Sequence, residues 1–421
     1  MRVLIYGVSF APELTGVGKY TGEMAAWLTA RGHDVRIVTA PPYYPDWRVG
    51  EGYSSWKYRR EFFRFDEQSG VWAQRCPIWV PRMPSGKKRL LHLGSFALSS
   101  SPVAMANVRW RPNVVMTVEP TLAVAPTALL LARLSGAKSW LHVQDFEVDA
   151  AFDMGLLAEG WLKKWAMRGE RALLRRFDRV STISDRMMER LVEKGVGDEA
   201  KVLFPNWADT HSIRPLDVPS GFRRELGLAQ DAVVVLYSGN LGEKQGLEVL
   251  VQAAERTLSE NDLVWVLAGS GSARARLEAL SSGLSNVRWL PLQPLERLNE
   301  LLNLADIHVL PQRADAADLV MPSKLTGMLA SGRATVATAA DGTQVGQVMD
   351  ECGVRVPPGD AQALAHAVIG LAHDESRRRA LGAKARAYAE RHLGYDSIMS
   401  RFEAELNALV YGTERPIAEG K

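Results

Sequence analysis

Val233-Val234-Val235-Leu236-Tyr237-Ser238-Gly239-Asn240-Leu241-Gly242 begins as an apolar run and breaks on a glycine turn. Its spacing predicts a strand at Val233–Leu236, a loop over Ser238–Gly242, a helix from about Gly246 to Leu258 and a strand at Leu263–Leu267. The same order opens the chain, with Val3–Tyr6, a loop around Thr15-Gly16-Val17-Gly18, a helix from about Lys19 to Ala30, and Val35–Thr39. Strands and helices alternating at this spacing build parallel sheets with covered faces. Ligands bind such sheets at the carboxyl ends of their strands. Two such openings half a chain apart predict an α/β protein of two Rossmann-like, doubly wound domains whose binding edges face one cleft. That architecture suits an enzyme joining a nucleotide-carried group to an acceptor.

The chain has 421 residues, 47% of them apolar, enough for two cores. A net charge of +3 does not point to nucleic acid. Cys76 and Cys352 are the only cysteines, which leaves no disulfide framework or zinc pattern and suits a reducing cytosol. Met1-Arg2 runs straight into an apolar strand, so no cleaved leader is expected. The longest apolar run, Leu122–Leu134, contains Pro126 and Arg133 and falls short of the ~20 residues a spanning helix needs. Local charge says more: Gln68 to Val118 contains no Asp or Glu, yet holds Arg75, Arg82, Lys87, Lys88, Arg89, Arg109 and Arg111.

Further strands are expected at Val114–Val118, Ser139–Val143, Arg179–Ile183, Val287–Trp289, Ile307–Leu310 and Thr335–Ala339. Between Pro41 and Pro84 the alternation gives way to an aromatic, proline-rich insert, of the kind that serves as a lid or acceptor loop. The turn-rich stretch from Asn206 to Pro219 reads as a linker. The expected division is therefore 1–205, 206–385 and a helical tail 386–421 that packs back on the first domain.

The first loop is not a dinucleotide fingerprint. Nine residues separate Tyr6 from Gly16, the third glycine is missing, and Thr39-Ala40 stands where an acid should end the second strand. A phosphate loop of the Walker type fails as well, since Glu13 replaces its first glycine and Tyr20 follows Lys19. What remains is a glycine pair, Gly16 and Gly18, opening a helix whose free N–H groups suit a phosphate or an acceptor; a plain turn is the alternative. In the second loop, glycines let the backbone approach a diphosphate that Lys244 can neutralise, and Gly269-Ser270-Gly271 repeats the arrangement one strand later.

Several blocks then carry a resemblance. Phe10–Thr21, Phe204–Thr210, Tyr237–Leu241, Ala305–Pro311 and Pro322-Ser323-Lys324-Leu325 to Gly332 are similar, in order, to the signature blocks of the retaining glycosyltransferases of family four. The resemblance implies the GT-B fold and metal-independent hexosyl transfer without a cofactor. More narrowly, Pro41–Trp47 and Ala316–Lys324 resemble the colanic-acid fucosyltransferase group. Members of that group extend a lipid-linked sugar in exopolysaccharide synthesis. A nucleotide sugar is thereby implied as donor, GDP-fucose favoured and a UDP-sugar open. A polyprenyl-diphosphate-linked saccharide is implied as acceptor.

The departures from the family pattern are specific. Two glutamates that grip donor sugar and ribose fall here at Leu319 and Gly327, leaving Asp318 as the nearest carboxylate. The arginine and lysine of the diphosphate clamp fall at Asn240 and Gln245, leaving Lys244 and Lys324 as cations. The expected donor set is Gly16, Gly18, Gly239, Asn240, Lys244, Gln245, Gly271, Asp318, Ser323 and Lys324.

For chemistry, Gln144-Asp145-Phe146-Glu147-Val148-Asp149 follows the Ser139–Val143 strand, at the carboxyl edge of the first sheet. In retaining transfer the leaving diphosphate can take the acceptor proton while nearby groups stabilise the oxocarbenium-like state. Asp145 matches the family position that orients donor or acceptor. Glu119, in Val118-Glu119-Pro120, is either a general base or a loop-capping carboxylate. Asp145, Glu147 and Asp149 together suit a divalent ion as the alternative, although no metal is expected. His142, on the strand, reads as a core residue.

A second signal is basic and aromatic. On the helical stretch from Gly160 to Phe177, Lys164, Arg168, Arg171 and Arg175 share one face, and Trp161 pairs with Trp165. Lys87-Lys88-Arg89 precedes Leu90-Leu91-His92-Leu93. A solvated face explains either segment alone; together they point to peripheral contact with the cytosolic membrane surface and a lipid acceptor. Two rivals stand beside the transferase reading: a nucleotide-sugar epimerase of the same fold, and a non-catalytic subunit of a membrane polysaccharide complex.

Overall fold

The computed structural model describes residues 1–13, 16–67, 69–82, 86–147, 161–242, 245–313 and 322–412, with the backbone alone at 86–87 and 161–162. The chain divides into two compact units, Met1–Pro205 joined by Met399–Lys421, and Asn206–Ile398.

The first unit is built on an eight-stranded sheet. Its strands are β1 (Arg2–Gly7), β2 (Asp34–Thr39), β3 (Arg59–Arg64), β4 (Gly70–Arg75), β5 (Val114–Val118), β6 (Lys138–Val143), β7 (Arg179–Thr182) and β8 (Lys201–Leu203). They lie in the order β3-β4-β2-β1-β5-β6-β7-β8, all parallel except the β3–β4 pair. All five residues of β5 are buried, as expected of a central strand covered on both faces, and this is why Val114–Val118 reads as an unbroken apolar run. Right-handed crossovers put the helices Gly86–Ala106, Ala125–Ser135 and Trp161–Leu174 on one face and Gly16–Ala30 on the other. Ser101 and Thr127 hydroxyls, 2.8 Å apart, tie the first two of those helices together.

In the second unit β9 (Val233–Ser238), β10 (Leu263–Ala268), β11 (Val287–Leu290), β12 (Ile307–Leu310), β13 (Ala334–Thr338) and β14 (Val354–Val356) form an all-parallel sheet in the order β11-β10-β9-β12-β13-β14. Trp265, fully buried on β10, donates through Nε1 to Thr257 Oγ1 at 3.0 Å, so the indole costs the core no unsatisfied polar group.

Two expectations need correction. The Pro41–Pro84 insert is not irregular throughout, because it contains the β3–β4 hairpin. Its main buried anchor is a charge: Arg75, 1% exposed, donates to Glu61 at 2.9 Å and to the Ala40 carbonyl at 3.0 Å. An arginine in that place hides the alternation that marks a strand. The tail, expected to leave the second domain at 386, crosses at Met399. Arg386 belongs to the second unit, where its guanidinium satisfies the carbonyls of Thr210, Ile213 and Ala330 at 2.7–2.9 Å. Beyond Met399 the side chains return to the first unit. Phe402 stacks on Phe204 at 4.3 Å, and Glu403 accepts from Arg31 at 3.0 Å.

Candidate active site

In the second unit, β9 delivers Tyr237 and Ser238 to the carboxyl edge of the sheet, and the chain turns at Gly239. That turn interlocks with the one after β10. A Cβ on Gly269 would sit 1.9 Å from the Gly239 carbonyl oxygen, and one on Gly271 would sit 2.3 Å from that of Leu241. Both positions have positive φ, at 144° and 157°, so glycine is required there for backbone shape as well as for space. Gly269→Ala is therefore expected to push the donor-side loop apart, with a melting loss on the scale of ~1–3 kcal/mol and loss of nucleotide-induced stabilisation. Calorimetry with and without nucleotide checks this.

Lys324 reaches the same place from the helix Ser323–Ala330. Its Nζ bonds Tyr237 Oη, Asn240 O at 3.3 Å and Gln245 Oε1 at 3.3 Å, and lies 4.7 Å from the Tyr237 ring centre. The three protons of the ammonium are thus met by neutral oxygens, and among the described residues no carboxylate pairs it. Burial pushes its pKa down to about 8. Gly239 is glycine for this lysine too, since a Cβ there would lie 2.5 Å from Lys324 Cε. The helix that carries Lys324 starts at Ser323 after Pro322, with no side-chain cap; its Leu325 N–H donates to the Pro322 carbonyl at 2.9 Å, and the N–H groups of Ser323 and Lys324 have no partner among the described residues. The structure therefore brings Gly239, Asn240, Gln245, Gly271, Ser323 and Lys324 to one edge. Lys244 and Asp318 lie outside the described residues. Tyr237, which opens the Tyr237–Leu241 block but receives no role from the sequence alone, belongs to this group through its hydroxyl; its place directly after an apolar run was the available signal.

In the first unit the carboxyl edge gathers acids. Asp145, exposed, and Glu147 follow β6, and Glu119 follows β5. Glu147 Oε2 accepts from the Leu122 N–H at 2.9 Å, while its Oε1 is buried without a partner. Burial, then the charge of Asp145, pushes the Glu147 carboxyl up to about 7 against the opposing Leu122 hydrogen bond and Arg89. Glu119 is 3% exposed, and burial first, then Glu147, Glu170 and Asp145, raise its pKa well above the usual carboxylate range. Burial thus opposes the charged form of Glu119. Beneath the loop, Lys194 bonds Glu170 at 2.5 Å and lies 4.9 Å from the Phe146 ring centre, which fixes the floor under Asp145. His142 is a core residue, with Nδ1 2.8 Å from Ser181 Oγ and burial holding its pKa down at about 3.

The glycine pair has a packing reason. Glu13 Oε1 accepts from the N–H groups of Tyr43 and Tyr44 at 3.1 Å, and a Cβ on Gly18 would lie 2.3 Å from Glu13 Oε2. Gly16, at φ 62°, sits under the Tyr44 ring. The carboxyl group of Glu13 thus lies against Gly18, at the helix start that the sequence offers to a phosphate or an acceptor, with a plain turn as the alternative. Asp149, the third member of the acidic triplet, lies outside the described residues.

The basic residues divide. Lys88, Lys164, Trp165 and Arg168 are exposed, and Trp165 is 65% so. Arg89 instead lies over Trp47 at 5.8 Å and acts electrostatically on Glu147, so it faces the acidic edge. The side chains of Lys87 and Trp161 lie outside the described residues. Leu90, Leu91 and Leu98 of the helix Gly86–Ala106 and Leu130 and Leu134 of its neighbour Ala125–Ser135 are also exposed, Leu98 at 81%. Neither of those two helices contains an Asp or Glu. No described helix is long and apolar enough to cross a membrane.

Comparison with known proteins agrees with this layout. Residues 15–207 match the family model of the glycosyl transferase 4-like domain, and residues 232–374 match that of glycosyl transferases group 1. The chain is 45% identical to an Escherichia coli K12 protein that carries the name colanic acid biosynthesis glycosyl transferase WcaI, over 96% of this chain and 98% of that one. Among solved structures, sucrose-phosphate synthase from Thermosynechococcus elongatus superposes with a TM-score of 0.73 at 19% identity, over 98% of this chain and 100% of that one. HepE of Anabaena, solved with UDP and glucose, superposes with a TM-score of 0.66 at 14% identity, over 97% and 100%. With two parallel-sheet units of this order and family matches in both halves, the chain belongs to glycosyltransferase family four and is a glycosyltransferase of the GT-B fold.

Proposed function

We propose that this glycosyltransferase moves a hexose, fucose from GDP-fucose foremost, onto a polyprenyl-diphosphate-linked saccharide during exopolysaccharide assembly of the colanic-acid type. The observation that carries this reading is the 45% identity to WcaI along nearly the whole of both chains. The ammonium of Lys324, which no carboxylate pairs among the described residues, lies beside a glycine turn and an uncapped helix start and supports a nucleoside diphosphate on the second unit. The solved relative with UDP and glucose keeps a UDP-sugar as the second donor reading. In the first unit Asp145 would orient the reacting sugar, with the leaving diphosphate receiving the acceptor proton and no metal taking part. Thermal shifts with GDP, UDP and ADP, followed by transfer assays with the matching sugars and a lipid-linked acceptor, test the donor. A response to UDP alone overturns GDP-fucose, and silence from all three favours a non-catalytic role.

The acceptor reading rests on the first unit's helices, which expose leucines and Lys88 and Arg133 on Gly86–Ala106 and Ala125–Ser135, and Lys164, Trp165 and Arg168 on Trp161–Leu174. Apolar side chains ringed by cations suit the interface of an anionic membrane. The protein is therefore placed, in this reading, on the cytosolic membrane surface. Leu91→Asp with Leu98→Asp should lower sedimentation with phosphatidylglycerol vesicles at least about tenfold, since each inserted leucine contributes ~1.5–3 kcal/mol. Transfer to a water-soluble acceptor analogue should be unchanged. Undiminished vesicle binding would exclude this face.

A further inference from the structure

A cavity of about 110 Å³ opens in the first unit, lined by Arg36, Arg60, Trp72, Gln74, Ala106 and Asn107. It lies under the end of the helix Gly86–Ala106, toward the strand-start edge and away from Asp145 and Glu147. Each arginine is held by an indole: Arg36 lies 4.3 Å from the Trp110 ring centre and Arg60 lies 4.5 Å from that of Trp72. Neither guanidinium makes a hydrogen bond or ion pair among the described residues. Other arginines on these strands do, Arg59 and Arg75 sharing Glu61 at 3.0 and 2.9 Å. Asp34 is the carboxylate that acts on Arg36, yet its Oδ2 accepts from Trp110 Nε1 at 3.3 Å. Burial is the main cause that lowers the Arg36 pKa; Asp34 opposes it, and the guanidiniums of Arg60 and Arg2 add to it. Gln74 adds a donor. Its Oε1 is taken by Asn107 Nδ2 at 3.0 Å, while its own NH₂ group has no partner among the described residues.

We propose that Arg36, Arg60 and the Gln74 amide form a binding site for a phosphate-type oxyanion, distinct from the donor side at Lys324. Planar guanidiniums fixed on aromatic faces present forked donors that match phosphate oxygens. The space equals three to four waters at ~30 Å³ each, room for one tetrahedral anion. Bound there, it replaces repulsion between two cations with attraction to both. The same chemistry is offered by free phosphate and by a lipid headgroup, and Phe62 and Trp72, both exposed, border the site.

Calorimetric titration of the full chain with inorganic phosphate at constant ionic strength tests the proposal. Wild type and Lys324→Met should both bind one equivalent, and Arg36→Gln with Arg60→Gln should bind at least about tenfold more weakly. In phosphate-free buffer the double variant should melt at or above wild type, because repulsion is relieved. If it fails to fold, Arg60→Gln alone, at an exposed side chain, carries the same comparison. Vesicles separate the two sources: weaker sedimentation of the double variant with phosphatidylglycerol, but not phosphatidylcholine, identifies a headgroup. Unchanged sedimentation with weakened phosphate binding identifies a free anion. Absence of both effects overturns the site.

Discussion

Lys324→Met is expected to lower kcat/KM for the nucleotide sugar by at least about 10²-fold while the protein melts at or above the wild-type temperature. The two halves of that result have one cause. The ammonium is buried enough for its pKa to fall to about 8, and its partners Tyr237, Asn240 and Gln245 are all neutral. A cation kept out of water without a counter-charge destabilises the fold, and methionine of similar length removes that cost. In the proposed reading the same cation would stabilise charge that grows on the departing diphosphate, and removing one preorganised group of this kind costs ~10²–10³ in rate. Arginine should not rescue the variant, because Tyr237 Oη, Asn240 O and Gln245 Oε1 surround a compact ammonium rather than a planar fork. The pH dependence has a definite sign. A lysine whose folded pKa is depressed carries its charge below about pH 8 and loses it above, so donor affinity is flat on the acid side and weakens as pH rises through 8. Stability moves the other way: the unfolded chain binds more protons between pH 8 and the ordinary lysine range, so folding gains across that window. A wild-type-like kcat/KM in the methionine variant would remove Lys324 from the donor site.

The periodic parts of this fold were legible in the sequence. Two glycine turns after apolar strands located both sheets, and β5 appears where Val114–Val118 predicts it, because burial on both faces leaves an uninterrupted apolar signal. Legibility failed where charge does a core residue's work. Arg75 anchors β4 from inside, so the hairpin read as an insert, and Arg386 ties its helix to the second unit, so the crossing was expected too early. At the site, sequence reading found Lys324 by elimination among cations but not Tyr237, whose hydroxyl is visible only once the strand end and helix start meet. Glu13 shows the reverse limit. A glycine pair at a helix start is the pattern of an anion site, yet here a carboxylate from the same loop lies against it. Spacing reveals where backbone N–H groups are free, not what the neighbouring side chain has already done with the space.

Asp145→Ala should lose at least about 10²-fold in turnover, with donor KM within about threefold and melting unchanged. The structural part follows from exposure: the side chain lies on the surface of the carboxyl edge, and the loop beneath rests on Phe146 over the Lys194–Glu170 pair. The catalytic part follows from charge. Burial raises the Glu119 carboxyl well above the usual carboxylate range and pushes Glu147 up to about 7, so Asp145, the exposed acid of the three, is the one proposed to face a developing oxocarbenium-like centre. Asp145→Asn separates the two ways such a group acts. If its charge stabilises the transition state, asparagine, which keeps the shape, should be as slow as alanine. If it orients a sugar hydroxyl through a hydrogen bond, asparagine should recover most of the lost rate. Since Asp145 raises the Glu147 pKa, either variant should also let Glu147 ionise at lower pH, moving the acid limb of the residual activity downward. Turnover near the wild-type value in both variants would take Asp145 out of the reaction and leave Glu147, with its unpartnered oxygen, as the acid-edge group to examine next.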